Sequence, residues 1–199
     1  MAIKNKRRFT RERGIQRYRK LFIISTEGAK TEPQYFQLFK NQQALISVKC
    51  LKCDDKSSPQ FILKRMERYL KLKGLKATDE AWLVVDNDQW SEIQLRELYL
   101  WSQLKANHGL AVSNPKFEYW LLLHYEDGVQ ITSVDCSKRL MRYLPDYNKY
   151  IDFREITQDK IVKAIRRAKE LDFPPCVDWP RSPTSTVYRL VEKLIEGMY

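Results

Sequence analysis

The sequence predicts an α/β fold: a parallel four-stranded sheet flanked by helices, followed by a helical C-terminal elaboration. Three observations carry that expectation. Between residues 20 and 125, apolar runs alternate four times with stretches of helical spacing, the pattern of strand–helix units that build a parallel sheet. The run Ala81–Val85 contains no polar residue, as suits a strand covered by helices on both faces. Polar turns follow these runs at once: Glu27-Gly28, Asp86-Asn87-Asp88 and Asn114-Pro115. They mark the carboxyl edge of the sheet, where open α/β folds bind ligands.

Leu21–Thr26 reads as the first strand. Thr31 then looks like a helix N-cap with Gln34 at capping-box spacing, and Pro33 falls harmlessly in the first turn. Leu45–Leu51 is a second strand, and Asp54–Ser58 a polar loop. Pro59 opens a helix in which Phe61, Ile62, Met66, Tyr69 and Leu70 recur at helical spacing, with Lys and Arg on the other face. Ala81–Val85 is the third strand. A helix follows over Ser91–Ala106, with Ile93, Leu95, Leu98, Leu100 and Leu104 available for packing; Asp88 or Ser91 can cap it. Gly109–Ser113 is the fourth strand, and Asn114-Pro115 starts a helix over Lys116–Tyr125. Residues 126–199 show no strand pattern; helices are expected around Val134–Tyr143, Gln158–Leu171 and Pro183–Glu196. The expected division is a basic arm (1–19), an α/β core (20–125) and a helical elaboration packed on it (126–199).

Charge is distributed unevenly. The chain of 199 residues carries 36 Lys+Arg against 25 Asp+Glu, a formal +11. Residues 1–20 hold nine basic residues and one acid, so +8 lies there and +3 in all the rest. Arg7, Arg8, Arg11 and Arg13 form the centre of an arm suited to tracking phosphates, since each neutralised phosphate releases counterions. The plain alternative is a solvated tail. No run approaches the roughly 20 apolar residues of a membrane span, and the basic start lacks an apolar stretch behind it, so neither a membrane partner nor a secretory signal is expected. Four cysteines suit reduced thiols in a cytoplasmic protein. Cys50-x-x-Cys53 has zinc-ligand spacing, but no second pair accompanies it. His124, on an apolar helix, reads as a core histidine. No phosphate-cradling glycine motif or nucleophile elbow is present.

Three carboxylates are the candidate chemistry. Glu27, Asp86 and Asp88 each follow an apolar strand directly, and Asp86 and Asp88 lie two apart, so both can point the same way. If strands one and three are neighbours, the three acids converge. Converging carboxylates repel unless protons or cations compensate, and Mg²⁺ or Mn²⁺ is the natural compensation for an all-oxygen set. The plain reading is that loop acids cap helices. Lys30, at the mouth of the first helix, is a candidate phosphate contact or one more surface lysine. Asn114 and Glu118, four apart, are candidates for supporting the site.

Glu27-Gly-x-Lys-Thr31-Glu32-Pro33-x-Tyr35-Phe36, Asp86-x-Asp88 and Ser113-Asn114-Pro115-x-Phe117-Glu118-x-Trp120, each after a strand, resemble the RloB family. The C-terminal Ser182-Pro-Thr-Ser-Thr-Val-Tyr-x-Leu-Val-Glu192 resembles it too; the likeness is weakest over Gly128–Gln158. The resemblance implies a Toprim-like domain with Glu27, Asp86 and Asp88 as metal-binding and catalytic acids. It also implies a prokaryotic anti-phage setting with an ABC- or AAA-type ATPase partner, and nuclease activity, in one related system on tRNA. The expectation is a Mg²⁺-dependent nuclease on DNA or RNA; self-association is left open. The rivals are a non-catalytic nucleic-acid-binding or ATPase-docking subunit and, less favoured by the basic arm, a small-molecule phosphatase or nucleotide-binding enzyme.

Overall fold

The computed structural model describes residues 19–40, 45–52, 58–129, 131–148 and 150–198. Its strands are β1 (Lys20–Thr26), β2 (Ile46–Cys50), β3 (Glu80–Asp86), β4 (His108–Asn114) and β5 (Thr184–Ser185). They form one sheet in the order β2-β1-β3-β4-β5. The first four are parallel, and β5 runs antiparallel to β4. The helices are α1 (Thr31–Gln37), α2 (Pro59–Lys73), α3 (Glu92–Gln103), α4 (Phe117–Leu122), α5 (Ser133–Tyr143), α6 (Gln158–Leu171) and α7 (Val187–Glu196). No helix among the described residues is long and apolar enough to cross a membrane.

The sheet therefore has five strands, not the four the sequence predicts, and it is not wholly parallel. The fifth comes from the segment expected to be helical from Pro183. Two residues are too short to carry a period-2 signal, and β5 is held by its partner. Asn114 pairs with Thr184 and Ser113 with Ser185, and the Ser113 and Ser185 hydroxyls lie 2.9 Å apart. One residue on, Thr186 Oγ1 accepts from the Val112 amide at 2.9 Å. The last helix starts only at Val187.

Helices cover both faces. Successive side chains of β1 and β3 point to opposite sides. Phe22, Ile24, Trp82 and Val84 meet α1, α4, α6 and α7 on one side. Ile23, Ala81, Leu83 and Val85 meet α2 and α3 on the other. One apolar cluster includes Phe22 of β1, Trp120 of α4 and Leu194 of α7, so the C-terminal elaboration packs directly on the sheet. A charged contact adds to this: buried Glu80 on β3 pairs with Lys20 at 2.6 Å and with Lys193 of α7 at 3.0 Å. On α3 only Leu95 and Leu98 of the expected set are buried; Ile93, Leu100 and Leu104 lie on the exposed side.

Two expected caps differ. Lys30, not Thr31, is the N-cap of α1, with no side-chain cap bond; the Thr31 hydroxyl instead meets the Tyr147 hydroxyl at 3.3 Å. Asn114 does not cap α4, because pairing with β5 keeps it in the strand, and Lys116 takes that place. Ser91 caps α3 in a capping box with Gln94.

Candidate active site: an acidic cluster at the carboxyl edge of the sheet

Neighbouring β1 and β3 bring their acids together. Their register runs from Phe22 opposite Glu80 to Thr26 opposite Val84. The Glu27 amide extends that ladder by donating to Val84 O at 3.0 Å. One Glu27 carboxylate oxygen then crosses to the end of β3, accepting from the Asp86 amide at 3.1 Å and from Trp90 Nε1 at 3.0 Å. Burial pushes the Glu27 carboxyl up to about 7; these two bonds oppose the rise, while Glu32 and Asp88 add to it.

Asp86 sits at the centre. It is half-buried at the last position of β3. Desolvation, and then the charges of Glu32, Glu27, Glu118 and Asp88, raise it well above the usual carboxylate range. Among the described residues its carboxylate accepts no hydrogen bond.

The other acids each have a donor. Buried Glu32, in the first turn of α1, accepts from the Gly28 amide at 2.7 Å. A Cβ at residue 28 would run into that carboxylate, so any other residue there would displace Glu32 from the Gly28 amide. Glu118, in the first turn of α4, accepts from the Tyr147 hydroxyl at 3.0 Å. With that proton committed, the Thr31 hydroxyl is the donor to Tyr147. Desolvation and then Glu118 raise the Tyr147 phenol far above its ordinary value, so it stays a donor. Exposed Asp88 accepts from the Ser133 hydroxyl at 3.1 Å.

The structure thus brings Glu27, Asp86, Asp88 and Glu118 together and adds Glu32, a fifth acid. Sequence reasoning missed Glu32 as a site acid because a carboxylate in a first helical turn reads as a dipole partner, and its burial shows only in the fold. Trp90, Ser133 and Tyr147 were missed as well. Asn114 is not turned to the acids. Its amide donates to Pro180 O at 3.1 Å, as does that of Asn87 at the same distance, tying residue 180 to the strand ends. Lys30 is exposed at the start of α1 and pairs with no carboxylate among the described residues. Arg7, Arg8, Arg11 and Arg13 lie outside the described residues, as does Cys53 of the Cys-x-x-Cys pair. His124 is a satisfied core histidine: Nδ1–H donates to Trp120 O at 3.0 Å, which leaves Nε2 to accept from Tyr35 at 3.1 Å.

The chemistry of the donors is uniform. All are carboxylate oxygens, which fit a hard divalent cation rather than a thiolate- or imidazole-seeking one. Among the described residues no three acidic, histidine or cysteine side chains close into a ready ligand set. The acids are near enough to raise the pKa values of Glu27 and Asp86, yet four of them are turned to protein donors.

A family model described as RloB-like protein matches residues 22–194, nearly the whole chain. No curated protein and no solved structure matches it.

Proposed function

The chain belongs to the RloB family, and from that premise we propose that it is a Mg²⁺- or Mn²⁺-dependent phosphodiesterase that cleaves nucleic acid. The observation that carries this reading is the Asp86 carboxylate, without a donor among the described residues and set among four other acids. Burial and the neighbouring acids disfavour the ionised form of such a group, and a bound cation favours it. Asp86, Glu27 and Asp88 would hold the ion, with Glu27 and Asp88 turning from Trp90 and Ser133 towards Asp86. A bound ion would supply an activated water and offset charge on the phosphoryl oxygens. In the alternative arrangement Asp86 and Asp88 hold the ion and Glu27 stays off it, where its carboxyl, raised to about 7 by burial, is suited to take the water's proton. Lys30 and the arm residues would neutralise substrate phosphates. We read the domain as Toprim-like on the strength of the Glu27 and Asp86-x-Asp88 pattern. We place the protein in the cytoplasm of a prokaryotic anti-phage system with an ATPase partner, and tRNA is among the substrates to try first.

The test combines cleavage with metal binding. Wild type should cut labelled RNA or DNA in Mg²⁺ or Mn²⁺ and not in excess chelator. Glu27→Gln and Asp86→Asn should each lose about 100-fold or more in rate with unchanged circular dichroism. Metal at roughly 100 times its Kd should stabilise wild type by about 2.7 kcal/mol and leave Asp86→Asn unmoved. Cleavage in chelator, or full activity in both variants, sinks the proposal. The bonds from Trp90, Gly28, Tyr147 and Ser133 favour one rival, a non-catalytic subunit whose acids are structural. In that case metal leaves the thermal midpoint of wild type unchanged.

A further inference from the structure

The cations of α2 differ from those of α6. Four of the five cations on α6 meet carboxylates: Lys160 with Glu155, Arg166 with Glu170, Arg167 with Asp127 and Lys169 with Glu192, at 2.5–3.8 Å. Helix α2 also carries five cations, against one acid, Glu67. Only Arg65 among them is held by the sheet, donating to Thr26 O at 2.9 Å. Lys64, Arg68 and Lys71 are exposed and pair with no carboxylate among the described residues. Their i, i+4, i+7 spacing puts them in one stripe, in which Glu67 is the one acid and meets none of them within ion-pair distance. Lys49 of edge strand β2 joins it, its Nζ 4.9 Å from the centre of the Tyr69 ring on α2. Unpaired like charges repel, so the stripe costs stability that pairing as on α6 would avoid. A polyanion lying along it removes that cost.

The stripe also leads to the acids. The Ser25 hydroxyl donates to Ile62 O at 3.0 Å, and Arg65 reaches Thr26, the residue before Glu27. The start of α2 therefore lies at the carboxyl edge of the sheet. From Lys64 to Lys71 the helix rises about 10 Å at 1.5 Å per residue, room for roughly three nucleotides at 3.4 Å each. We propose that the Lys49–Lys64–Arg68–Lys71 ridge is a backbone track for nucleic acid entering the acidic cluster. The inference rests on the phosphodiesterase reading for the class of polyanion; the unpaired ridge itself does not depend on it.

The experiment uses the full chain, in chelator so that no cleavage occurs, with fluorescein-labelled RNA and DNA of roughly 20 nucleotides. Binding is read by anisotropy across a salt series. Lys64→Ala/Arg68→Ala/Lys71→Ala should lower the slope of log affinity against log salt by roughly 2–3 and cost about 100-fold at about 0.1 M salt. Alanine favours helix, so the thermal midpoint should hold. Lys163→Ala/Arg166→Ala/Lys169→Ala on α6 should leave the slope alone. An unchanged slope in the α2 variant, an equal loss in the α6 variant, or binding of polyglutamate in preference to nucleic acid overturns the track. The two readings fail separately. Acid-dependent cleavage with an unchanged slope removes the track alone; a reduced slope without metal-dependent cleavage removes the activity alone.

Discussion

Replacing Glu27 by glutamine probes the electrostatics of the cluster without any appeal to activity. The side chain keeps an oxygen to accept from the Asp86 amide and Trp90 Nε1, so only the charge is lost. In the fold the Glu27 carboxyl is raised from 4.5 to about 7, chiefly by desolvation. An acid whose pKa is raised by folding favours the native state below its unfolded pKa and loses that advantage as pH rises through the folded one. The loss therefore accrues between pH 4.5 and about 7. At 1.36 kcal/mol per tenfold it amounts to about 3 kcal/mol, and solvent screening of a half-buried group trims it towards about 2. Above about pH 7, Glu27→Gln should thus be the more stable protein by about 2–3 kcal/mol, or about 4–12 °C in Tm for a chain of this length. Near pH 4 the two should coincide. The assay is thermal or urea unfolding of both proteins in chelator across this range. Parallel pH profiles, or a variant less stable near neutrality, would refute the claim that desolvation and neighbouring acids dominate at Glu27.

Two further outcomes follow from buried ionisable groups. At Glu80 desolvation works to raise the pKa, but Lys20, Trp82 and Lys193 outweigh it and hold the carboxyl below 4.5; Glu80→Ala should cost about 2–4 kcal/mol in urea unfolding, and in wild type that contribution should fade as pH falls below 4.5. His124 is held neutral by burial with its pKa down at about 4, so its ring protons should titrate by NMR near that value; a midpoint above 6 contradicts the burial argument.

Strands β1, β3 and β4 were legible because both their faces are buried, which leaves an unbroken apolar run ending at an acid or an Asn-Pro. Their adjacency was not legible. Only the observed register, Thr26 opposite Val84, sets Glu27 beside Val85, from where its carboxylate reaches the Asp86 amide. Local capping rules failed at Thr31 and Asn114 for one shared reason: a distant segment claims the residue first. Tyr147 is 116 residues from Thr31, and Pro180 is 66 residues from Asn114. No window of sequence records such contacts. Strand β5 was hidden by the same physics, since its two residues gain their conformation from β4 and not from their own pattern.

Those distant contacts also bear on what the C-terminal elaboration is for. Ser133 holds Asp88, Tyr147 holds Glu118, and Pro180 O binds both Asn87 and Asn114. The partners it gives Asp88 and Glu118 are hydroxyls, which orient a carboxylate without neutralising it. A lysine or arginine in these places would have quenched the negative field by direct pairing. Instead Asp86 is left with four acids around it and no donor among the described residues. A segment selected only to cover apolar surface has no reason to aim hydroxyls at one cluster of charge. Hydroxyls that fix acids in place while keeping their charge suit a site whose counter-charge arrives from outside. The elaboration is thus as much a wall of the site as the strand ends are. Truncating it would remove Tyr147 and Ser133 from the acids together with the core contacts of α7.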